Sequence, residues 1–531
     1  MGVMLLKRKL TSFQIIILGF SGVILFGTFL LMLPFSSRSG LATPFSDALF
    51  TSTSAVCVTG LIIHDTATYW SAFGQFVILL LIQIGGMGVI TIAASFAMIS
   101  GRKISLMQRS TMQEAISAPK VGGIVRLTGF IVRVTLVMEL LCAAVMAPVF
   151  CRDFGKKGLW MALFHSVSAF CNAGFDLLGV RTPFSSLTSY VANPVINFTI
   201  MFLIVFGGIG FLTWDDIRTN RLHLRKYRMQ SKVILCTTAV LLIAPAMYFY
   251  FFEFDDLTRK ERLLSSLFQA VTPRTAGFNT VELTDLSEAG QFITIALMLI
   301  GGSPGSTAGG LKTTTIAVLL TTAISTFRRR ENANLFGRRI DDDVVKNAAT
   351  ISLMYITLCC TGGLIISVSE GLPMLTCLFE TASAVGTVGL SLGITPELNL
   401  LSRSVLILLI VFWTSRWPYI NFCGLVQCTK ESFKTTKGKN NSRIIRYSAD
   451  HILDYIELDE NHAMFEIPIP KDWADHSIGE LDIRKKFNIN IMGIKKSGKL
   501  ELSISSDTVL KAGDTMLALG SNRNLQKCFH T

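Results

Sequence analysis

Long apolar stretches without charged residues run through the first four fifths of the chain. A membrane-spanning helix needs about 20 apolar residues. Uncharged runs cover residues 10–37, 66–101, 182–214, 233–252, 289–311 and 347–369, while 134–150 holds only Glu139 and 401–425 holds only Arg403 and Arg416. The pattern therefore predicts eight membrane-spanning helices.

Shorter apolar stretches lie between these runs. Four of them, at 44–56, 159–170, 263–272 and 373–385, have about a dozen residues, which is too few to cross a bilayer. We interpret each as a half-helix that enters and leaves the membrane on one side. Irregular backbone at that depth is tolerated only where it is buried in protein or lines a water-filled cavity.

Basic residues set the predicted orientation, because Lys and Arg are enriched in cytoplasmic loops. They cluster at 7–9, 102–120, 218–228 and 328–339, and again in the C-terminal tail. Both termini and these loops are therefore predicted to be cytoplasmic, and the chain is predicted to be a multi-pass protein of the plasma (inner) membrane in contact with its lipids. The half-helices then enter from outside.

Composition agrees with a membrane protein. Half of the residues are hydrophobic (50%), 16% are charged, and the mean hydropathy is +0.51. The net charge of +13 suggests nucleic acid at first sight, but the cytoplasmic loops account for it, so no nucleic-acid partner is predicted. The eleven cysteines form no CxxC pair, which argues against a zinc site.

The chain is an internal repeat. Four segments share an ending of small residue, Gly, then Leu or Phe: "SAVCVTGL" (54–61), "SAFCNAGF" (168–175), "VTPRTAGF" (271–278) and "SAVGTVGL" (383–390). Their glycines are 114, 103 and 112 residues apart, and each segment follows a half-helix. The predicted membrane domain, residues 1–425, therefore holds four repeats of helix, half-helix, glycine strand and helix, at about 10–100, 124–216, 232–329 and 345–425.

The character of the sequence changes after the last span. Residues 426–449 form a basic, polar linker, and 450–531 form a small α+β domain. Alternating patterns predict strands at 464–470, 489–496, 499–505 and 515–520, with a capped helix at 521–529. The predicted fold class is a polytopic α-helical membrane protein, with four helix–pore-loop–helix repeats around a pseudo-fourfold pore, plus this C-terminal domain.

Four glycine strands around one axis would form rings of carbonyl oxygens, which can replace the hydration shell of a cation. Glycine permits the unusual backbone angles that point carbonyls inward, and the half-helices would aim their negative C-terminal ends at the centre. The alternative is four ordinary extracellular loops. The predicted filter backbone comprises Cys57, Val58, Thr59, Gly60, Cys171, Asn172, Ala173, Gly174, Arg274, Thr275, Ala276, Gly277, Gly386, Thr387, Val388 and Gly389.

These four segments, with "VTPRTAGFNT" (271–280) and "ETASAVGTVGL" (380–390), resemble the Trk/Ktr/HKT superfamily of potassium transporters, above all the Ktr-type membrane subunit. The likeness covers about residues 10–425. It implies potassium uptake, a homodimer, and gating by a cytoplasmic regulatory ring, with sodium as a candidate activator. Family members with serine at the first filter glycine tend to pass sodium, so Gly60 favours potassium.

The segment "GGSPGSTAGGLKTTT" (301–315) interrupts an apolar run. It is close to a phosphate-binding P-loop, but Leu311 spoils the spacing and no strand precedes it, so nucleotide binding is not predicted here. The resemblance makes it an intramembrane gate; a simple helix kink is the alternative, with Lys312 extending to the cytoplasmic surface. The predicted gate residues are Gly301, Gly302, Gly305, Ser306, Thr307, Gly309, Gly310, Lys312 and Arg416.

Two arginines lie at membrane depth. Arg416 is predicted to face the cavity and bind carbonyls of the 301–310 loop, although it could instead extend to the membrane surface. Arg274 stands where the other repeats have Cys57, Cys171 and Gly386. A cation lining the pore would repel potassium, so its side chain is expected behind the filter, paired with an acid such as Glu380.

Residues 462–528 resemble the C-terminal half of RCK-type regulators, also called the TrkA C-terminal domain. The nucleotide-binding half of such regulators is missing, so a separate RCK-type nucleotide-binding subunit is a candidate partner. Such domains dimerise, and some bind cyclic di-AMP; the sequence leaves open whether this one does.

Other functions fit less well. A secondary transporter of another solute could also use broken helices, but its repeats would be expected to be inverted. A sodium/potassium-permeable transporter stays open. An enzyme is not predicted, because no intramembrane acid–base pair is present and His64 and His165 are isolated in the sequence.

Overall fold

The computed structural model describes residues 12–89, 91–92, 112–113, 123–221, 223–330, 332–414, 454–457, 462–496, 499–501, 503–511, 513–521 and 524. Internal contacts divide the chain into two compact units, one within residues 1–431 and one mainly within 432–531. The predicted boundaries at 425 and 450 lie outside the described residues.

Each of the four repeats begins with a long outer helix. These helices are α1 (Ser12–Met32), α5 (Ile124–Phe154), α9 (Met229–Phe252) and α13 (Asp342–Glu370). All four are long and apolar enough to cross a membrane. Large apolar side chains such as Phe29, Leu140 and Leu364 are exposed on them, as expected of helices that face lipid.

A short, buried half-helix follows each outer helix. The four are α2 (Phe45–Val56), α6 (Lys157–Phe170), α10 (Arg259–Val271) and α14 (Met374–Gly386), and each ends where its glycine strand begins. All four were predicted from the sequence, with ends that differ by up to four residues. The start of α10 is fixed by a capping box, in which Thr258 and Glu261 each bond the other's backbone N–H.

An inner helix or pair of helices follows each glycine strand. The inner helices are α4 (Ala72–Met87), with the one-turn α3 (Thr66–Tyr69) before it; α7 (Pro194–Gly208) with α8 (Phe211–Asn220); α11 (Glu288–Leu299) with α12 (Thr313–Phe327); and α15 (Leu400–Thr414). The α7–α8 pair bends by 97°. The prediction of a continuous inner span is wrong for α7–α8, whereas the interruption predicted at 301–315 separates α11 from α12.

By length and composition, four of the described helices qualify as membrane spans, or five if α7 and α8 count as one. A small hairpin of β1 (Asn334–Leu335) and β2 (Arg338–Arg339) joins α12 to α13. The first unit is thus a ring of buried half-helices, each packed against its own outer helix, and the ring positions the four strands that follow.

The second unit is an antiparallel sheet with two short helices. Its strands, β3 (Asp454–Glu457), β4 (His462–Pro468), β5 (Asn490–Lys496), β6 (Lys499–Glu501) and β7 (Thr515–Ser521), lie in the order β3-β4-β7-β5-β6. The helices are α16 (Ile478–Leu481) and α17 (Ile483–Phe487). The four predicted strands are present, and β3 was missed; the predicted 521–529 helix lies outside the described residues except for Ser521 and Asn524.

Candidate functional site

The four predicted glycines lie side by side in a closed ring. A Cβ atom built on any one of them would stand 2.9 Å or less from the carbonyl oxygen of the residue that precedes the glycine of the next repeat. The pairs are Gly60 with Ala173, Gly174 with Ala276, Gly277 with Val388, and Gly389 with Thr59. The last pair returns from the fourth repeat to the first, so the four strands surround one axis.

The strands share an uncommon backbone conformation. The glycines have φ of +87°, +70°, +77° and +92°, and the residue two positions earlier is also left-handed in every repeat. Those residues are Val58, Asn172, Thr275 and Thr387, with φ of +56°, +59°, +69° and +52°. The left-handed region costs a non-glycine residue roughly 1–2 kcal/mol, so the surrounding structure must impose it four times.

Backbone hydrogen bonds tie three strands to their half-helices in the same way. Thr59, Ala173 and Val388 donate their N–H groups to the carbonyls of Ser54, Ser168 and Ser383, at 2.7–2.8 Å. The third strand differs, because Ala276 donates to Thr272 at 3.0 Å. In all four repeats the C-terminal, partially negative end of a half-helix therefore adjoins the ring.

The segment between α11 and α12 is buried and packs against the other repeats. Gly301 donates to the carbonyl of Leu311 at 2.8 Å, which closes the segment into a loop. Ser303 donates to Gly208 at 3.0 Å, and Phe211 donates to Gly305 at 2.7 Å. The loop thus occupies the bend between α7 and α8.

The same loop reaches the base of two glycine strands. The hydroxyl of Thr307 donates to the carbonyl of Phe170, the last residue of α6, at 3.0 Å. A Cβ on Gly309 would overlap the side chain of Thr387, and one on Gly310 would stand 3.2 Å from the Gly386 carbonyl. The predicted gate loop therefore contacts the second and fourth predicted filter strands directly.

Lys312 belongs to this loop and does not extend away from it. Its ammonium group donates to the carbonyls of Ala308 at 2.8 Å and Gly309 at 3.1 Å. The ammonium group therefore binds backbone carbonyls of the loop itself. Ser303 and Thr313 also share a hydrogen bond of 3.2 Å, so polar side chains hold both ends of the loop. Arg416, the predicted partner of these carbonyls, lies outside the described residues.

Arg274 is buried, and its side chain lies behind the third strand. Its Nη2 donates to the hydroxyl of Thr238, on α9, at 3.3 Å. No ion pair joins it to Glu380 in the part of the chain that the structure describes, so the expected pairing is wrong. The side chain of Asn172 donates to the Arg274 carbonyl at 3.3 Å, which links the second strand to the third.

A buried carboxyl adjoins the outer end of the second strand. Asp176, two residues after Gly174, accepts hydrogen bonds from the backbone of Leu178. Burial raises the pKa of Asp176 to about 7, the backbone N–H groups of Leu178 and Gly179 oppose this, and the charge of Asp65 adds to the rise.

A search for sequence relatives agrees with this geometry. The sequence profile of the TrkH family, described as cation transport protein, matches residues 7–416. The chain belongs to the TrkH family. A second profile, the TrkA-C domain, matches residues 462–529, as the resemblance of the tail implied.

Curated relatives cover nearly the same region. The chain is 42% identical over 411 residues to the potassium/sodium uptake protein NtpJ of Enterococcus hirae, covering 76% of this chain and 90% of that protein. It is 37% identical over 408 residues to the Ktr system potassium uptake protein B of Bacillus subtilis, with the same coverage. These relatives are named for ion uptake, in agreement with the prediction that the chain is not an enzyme.

A solved structure has the same fold. The crystal structure of the potassium transporter TrkH from Vibrio parahaemolyticus matches with a TM-score of 0.60 and 19% identity, covering 79% of this chain and 85% of that one. The predicted fold class, a multi-repeat helical membrane protein with a small C-terminal domain, is therefore confirmed.

Paired glycines on the inner helices are functional candidates that the sequence reasoning missed. A Cβ on Gly85 would overlap the Val56 carbonyl, and one on Gly207 would overlap the Phe170 carbonyl. Only glycine lets these inner helices approach the ends of α2 and α6. The signal was present as a repeated Gly-Gly pair followed by a further glycine, at 85–88, 207–210 and 301–305.

Proposed function

We propose that the chain takes up potassium across the plasma membrane through a filter of backbone carbonyls at the glycine ring. The observation that carries this proposal is the closed ring itself, in which every glycine abuts a carbonyl of the next repeat. Rings of carbonyl oxygens can replace a cation's water shell. The described filter residues supply these carbonyl oxygens from the backbone alone. The C-terminal ends of the half-helices add negative electrostatic potential at the ring.

The names of the curated relatives favour potassium over other cations as the transported ion. The Bacillus subtilis relative is named a potassium uptake protein. The chain has glycine at position 60, where the family resemblance associates serine with the passage of sodium. The Enterococcus hirae relative is named a potassium/sodium uptake protein, which supports a second candidate, a transporter permeable to both ions. Both candidates use the same site and differ only in its discrimination.

The 301–310 loop acts as the gate in this proposal. It is buried, it is held by hydrogen bonds from the second repeat as well as its own, and it contacts the base of the filter through Thr307 and Gly309. A loop of Gly, Ser and Thr can rearrange in a water-lined cavity at less cost than a continuous helix. Arg416 is proposed to face the same loop.

The C-terminal domain regulates or assembles the pore. Its match to the TrkA-C domain supports a cytoplasmic regulatory role, with a separate RCK-type subunit as partner and cyclic di-AMP as a candidate ligand. We propose a homodimer with cytoplasmic termini.

Ion flux tests the function. The purified full chain, reconstituted in liposomes, is expected to take up rubidium, a potassium analogue, and external potassium should compete better than sodium. Expression should also restore growth of potassium-uptake-deficient cells on low potassium. Equal competition by both ions would favour the sodium/potassium-permeable candidate, and no flux of either ion would overturn the proposal.

A further inference from the structure

Two buried polar residues occupy the same place in opposite repeats. Glu380 lies three residues before Ser383, and His165 lies three residues before Ser168. Both are on half-helices, about one and a half turns before the helix ends, and both side chains are 0% exposed. The order of strands around the ring places the second and fourth repeats across the axis from each other.

Each of these side chains accepts the same backbone hydrogen bond. Oε1 of Glu380 accepts the N–H of Leu392 at 3.1 Å, and Nε2 of His165 accepts the N–H of Leu177 at 3.4 Å. Leu392 and Leu177 each stand three residues after the ring glycine of their repeat. Two different side chains thus fix the outer end of two opposite strands at the same point.

Further contacts orient both acceptors. Glu380 also accepts hydrogen bonds from the hydroxyls of Ser391 at 2.5 Å and Thr395 at 2.9 Å. Nδ1 of His165 lies 2.7 Å from the carbonyl of Met161. Because Leu177 can only donate and Met161 can only accept, the proton of the neutral imidazole is on Nδ1.

The inner ends of the same strands are fixed as well. The serine three residues later on each half-helix accepts the backbone bonds described above, and its hydroxyl also bonds the strand: Ser168 donates to the Phe175 carbonyl at 2.7 Å, and Ser383 accepts from Gly389 at 3.0 Å. Each strand is thus held before its ring glycine by a backbone carbonyl of its own half-helix, and at or after that glycine by side chains of the same half-helix.

The other two repeats lack this arrangement. They have Thr51 and Phe268 at the same position, and the Thr51 hydroxyl donates to the Asp47 carbonyl within its own helix at 2.9 Å. Among the described residues, a side chain at this position therefore holds the strand only in the second and fourth repeats, which lie across the ring from each other.

We propose that Glu380 and His165 are positioning residues that set the discrimination between potassium and sodium by fixing the outer ends of the two opposite strands. The inference rests on the proposed function of the ring as a filter. A ring of carbonyls favours the cation whose dehydration it best compensates, and that depends on the spacing and freedom of the carbonyls. Loosening one diagonal lets the ring contract around the smaller sodium ion.

Substitutions at Glu380 test this directly. Reversal potentials measured with potassium and sodium on opposite sides of a bilayer give the permeability ratio. Glu380→Ala is expected to lower the potassium-to-sodium ratio by roughly tenfold, equivalent to ~1.4 kcal/mol of discrimination. Glu380→Gln keeps an acceptor oxygen for Leu392 and should retain part of the ratio. His165→Ala should act in the same direction, and His165→Gln should be milder.

Glu370 offers a matched control, because its carboxylate also accepts a backbone N–H, from Asn399 at 2.9 Å, but at the end of α13 and outside the half-helices. Glu370→Ala should leave the ratio unchanged.

Should Glu380→Ala fail to fold, Thr395→Val removes one hydroxyl from Glu380 with little change in shape, and a smaller fall in the ratio is expected. An unchanged ratio in folded Glu380→Ala or Thr395→Val, or equal permeability of the unaltered chain to both ions, overturns the inference while the filter stands; absence of flux of either ion through the unaltered chain overturns the filter itself.

Discussion

At the scale of single residues, the ring glycines meet two separate requirements. Their φ values, from +70° to +92°, lie in a region that side chains disfavour, and their Cα atoms face a neighbouring carbonyl with no room for a methyl group. The positive φ alone would tolerate asparagine or serine at a modest energetic cost. The close approach to the carbonyl tolerates neither, because the obstructing atom belongs to the backbone of another repeat.

Gly60→Ser should therefore weaken ion discrimination. Its Cβ would stand 2.5 Å from the Ala173 carbonyl and must displace it, which distorts the ring between the first and second repeats. We expect the potassium-to-sodium permeability ratio to fall by roughly tenfold. Gly40→Ser is the control, because Gly40 has φ of +72° but open space around its Cα. Equal ratios in the two variants would contradict the role of Gly60.

The sequence could predict these glycines but not the partners of Arg274. The glycines recur at regular separations, so four weak matches reinforce one another. Arg274 occurs once, and its contact with Thr238 depends on how α9 packs behind the third strand. The positions of Glu380 and His165 were readable in the alignment of repeats, but their chemistry differs, so only the hydrogen bonds to Leu392 and Leu177 reveal the shared role.

At the scale of elements, hydrophobic length predicted the half-helices well and the inner helices poorly. A stretch of about a dozen apolar residues between longer runs is too short to cross a bilayer, so a half-helix is one of the few structures that it can form. A long apolar run with internal glycines, by contrast, reads as one helix whether or not it bends. The bend between α7 and α8 arises where the 301–310 loop inserts, and that contact joins segments about 95 residues apart in the sequence.

Thr307→Val tests the loop as a gate. The substitution keeps the shape of the side chain and removes the hydrogen bond to the Phe170 carbonyl, a loss of about 1 kcal/mol. The closed loop should then be roughly fivefold less favoured, and basal rubidium flux should rise with little change in the permeability ratio. Thr326→Val is the control, because its hydroxyl bonds only within α12. Unchanged flux in folded Thr307→Val would favour a static kink.

Helix α15 is fixed to the first half-helix by an ion pair that joins the last repeat to the first. Arg403 donates to the carboxylate of Asp47 at 3.1 Å and to the Pro396 carbonyl at 2.8 Å, and Asp47 also contacts His64 at 2.9 Å. Both partners are largely buried, so losing one leaves the other poorly compensated.

Arg403→Gln should lower the stability of the protein by about 1–2 kcal/mol. The measurement is the thermal unfolding midpoint of the purified chain in detergent. Lys346→Gln serves as control, because its 3.8 Å pair with Asp343 is exposed on both sides and should contribute little. If both variants unfolded at the unaltered temperature, the ion pair would have no part in closing the ring.

At the scale of the whole molecule, the chain joins a helical unit of four repeats to a small unit of a different class. The ring of four strands could be predicted because the repeats must share one axis to bury their half-helices. The strands of the second unit were predicted from alternation, while their order, β3-β4-β7-β5-β6, depends on pairings between distant segments. Its profile match, residues 462–529, supports regulation in place of ion conduction.

Truncation after residue 446 tests that division. A ligand biases a gate only through different affinities for its open and closed states, and a coupling of 1–3 kcal/mol changes activity by roughly 5–150-fold. The shortened and full chains, reconstituted side by side, should share one potassium-to-sodium ratio, because every described residue of the proposed filter belongs to the first unit. Only the full chain should change its flux when cyclic di-AMP or another nucleotide is added. A folded truncation that lost discrimination would contradict the separation of pore and regulator. A full chain whose flux no nucleotide changed would leave the second unit as an assembly domain.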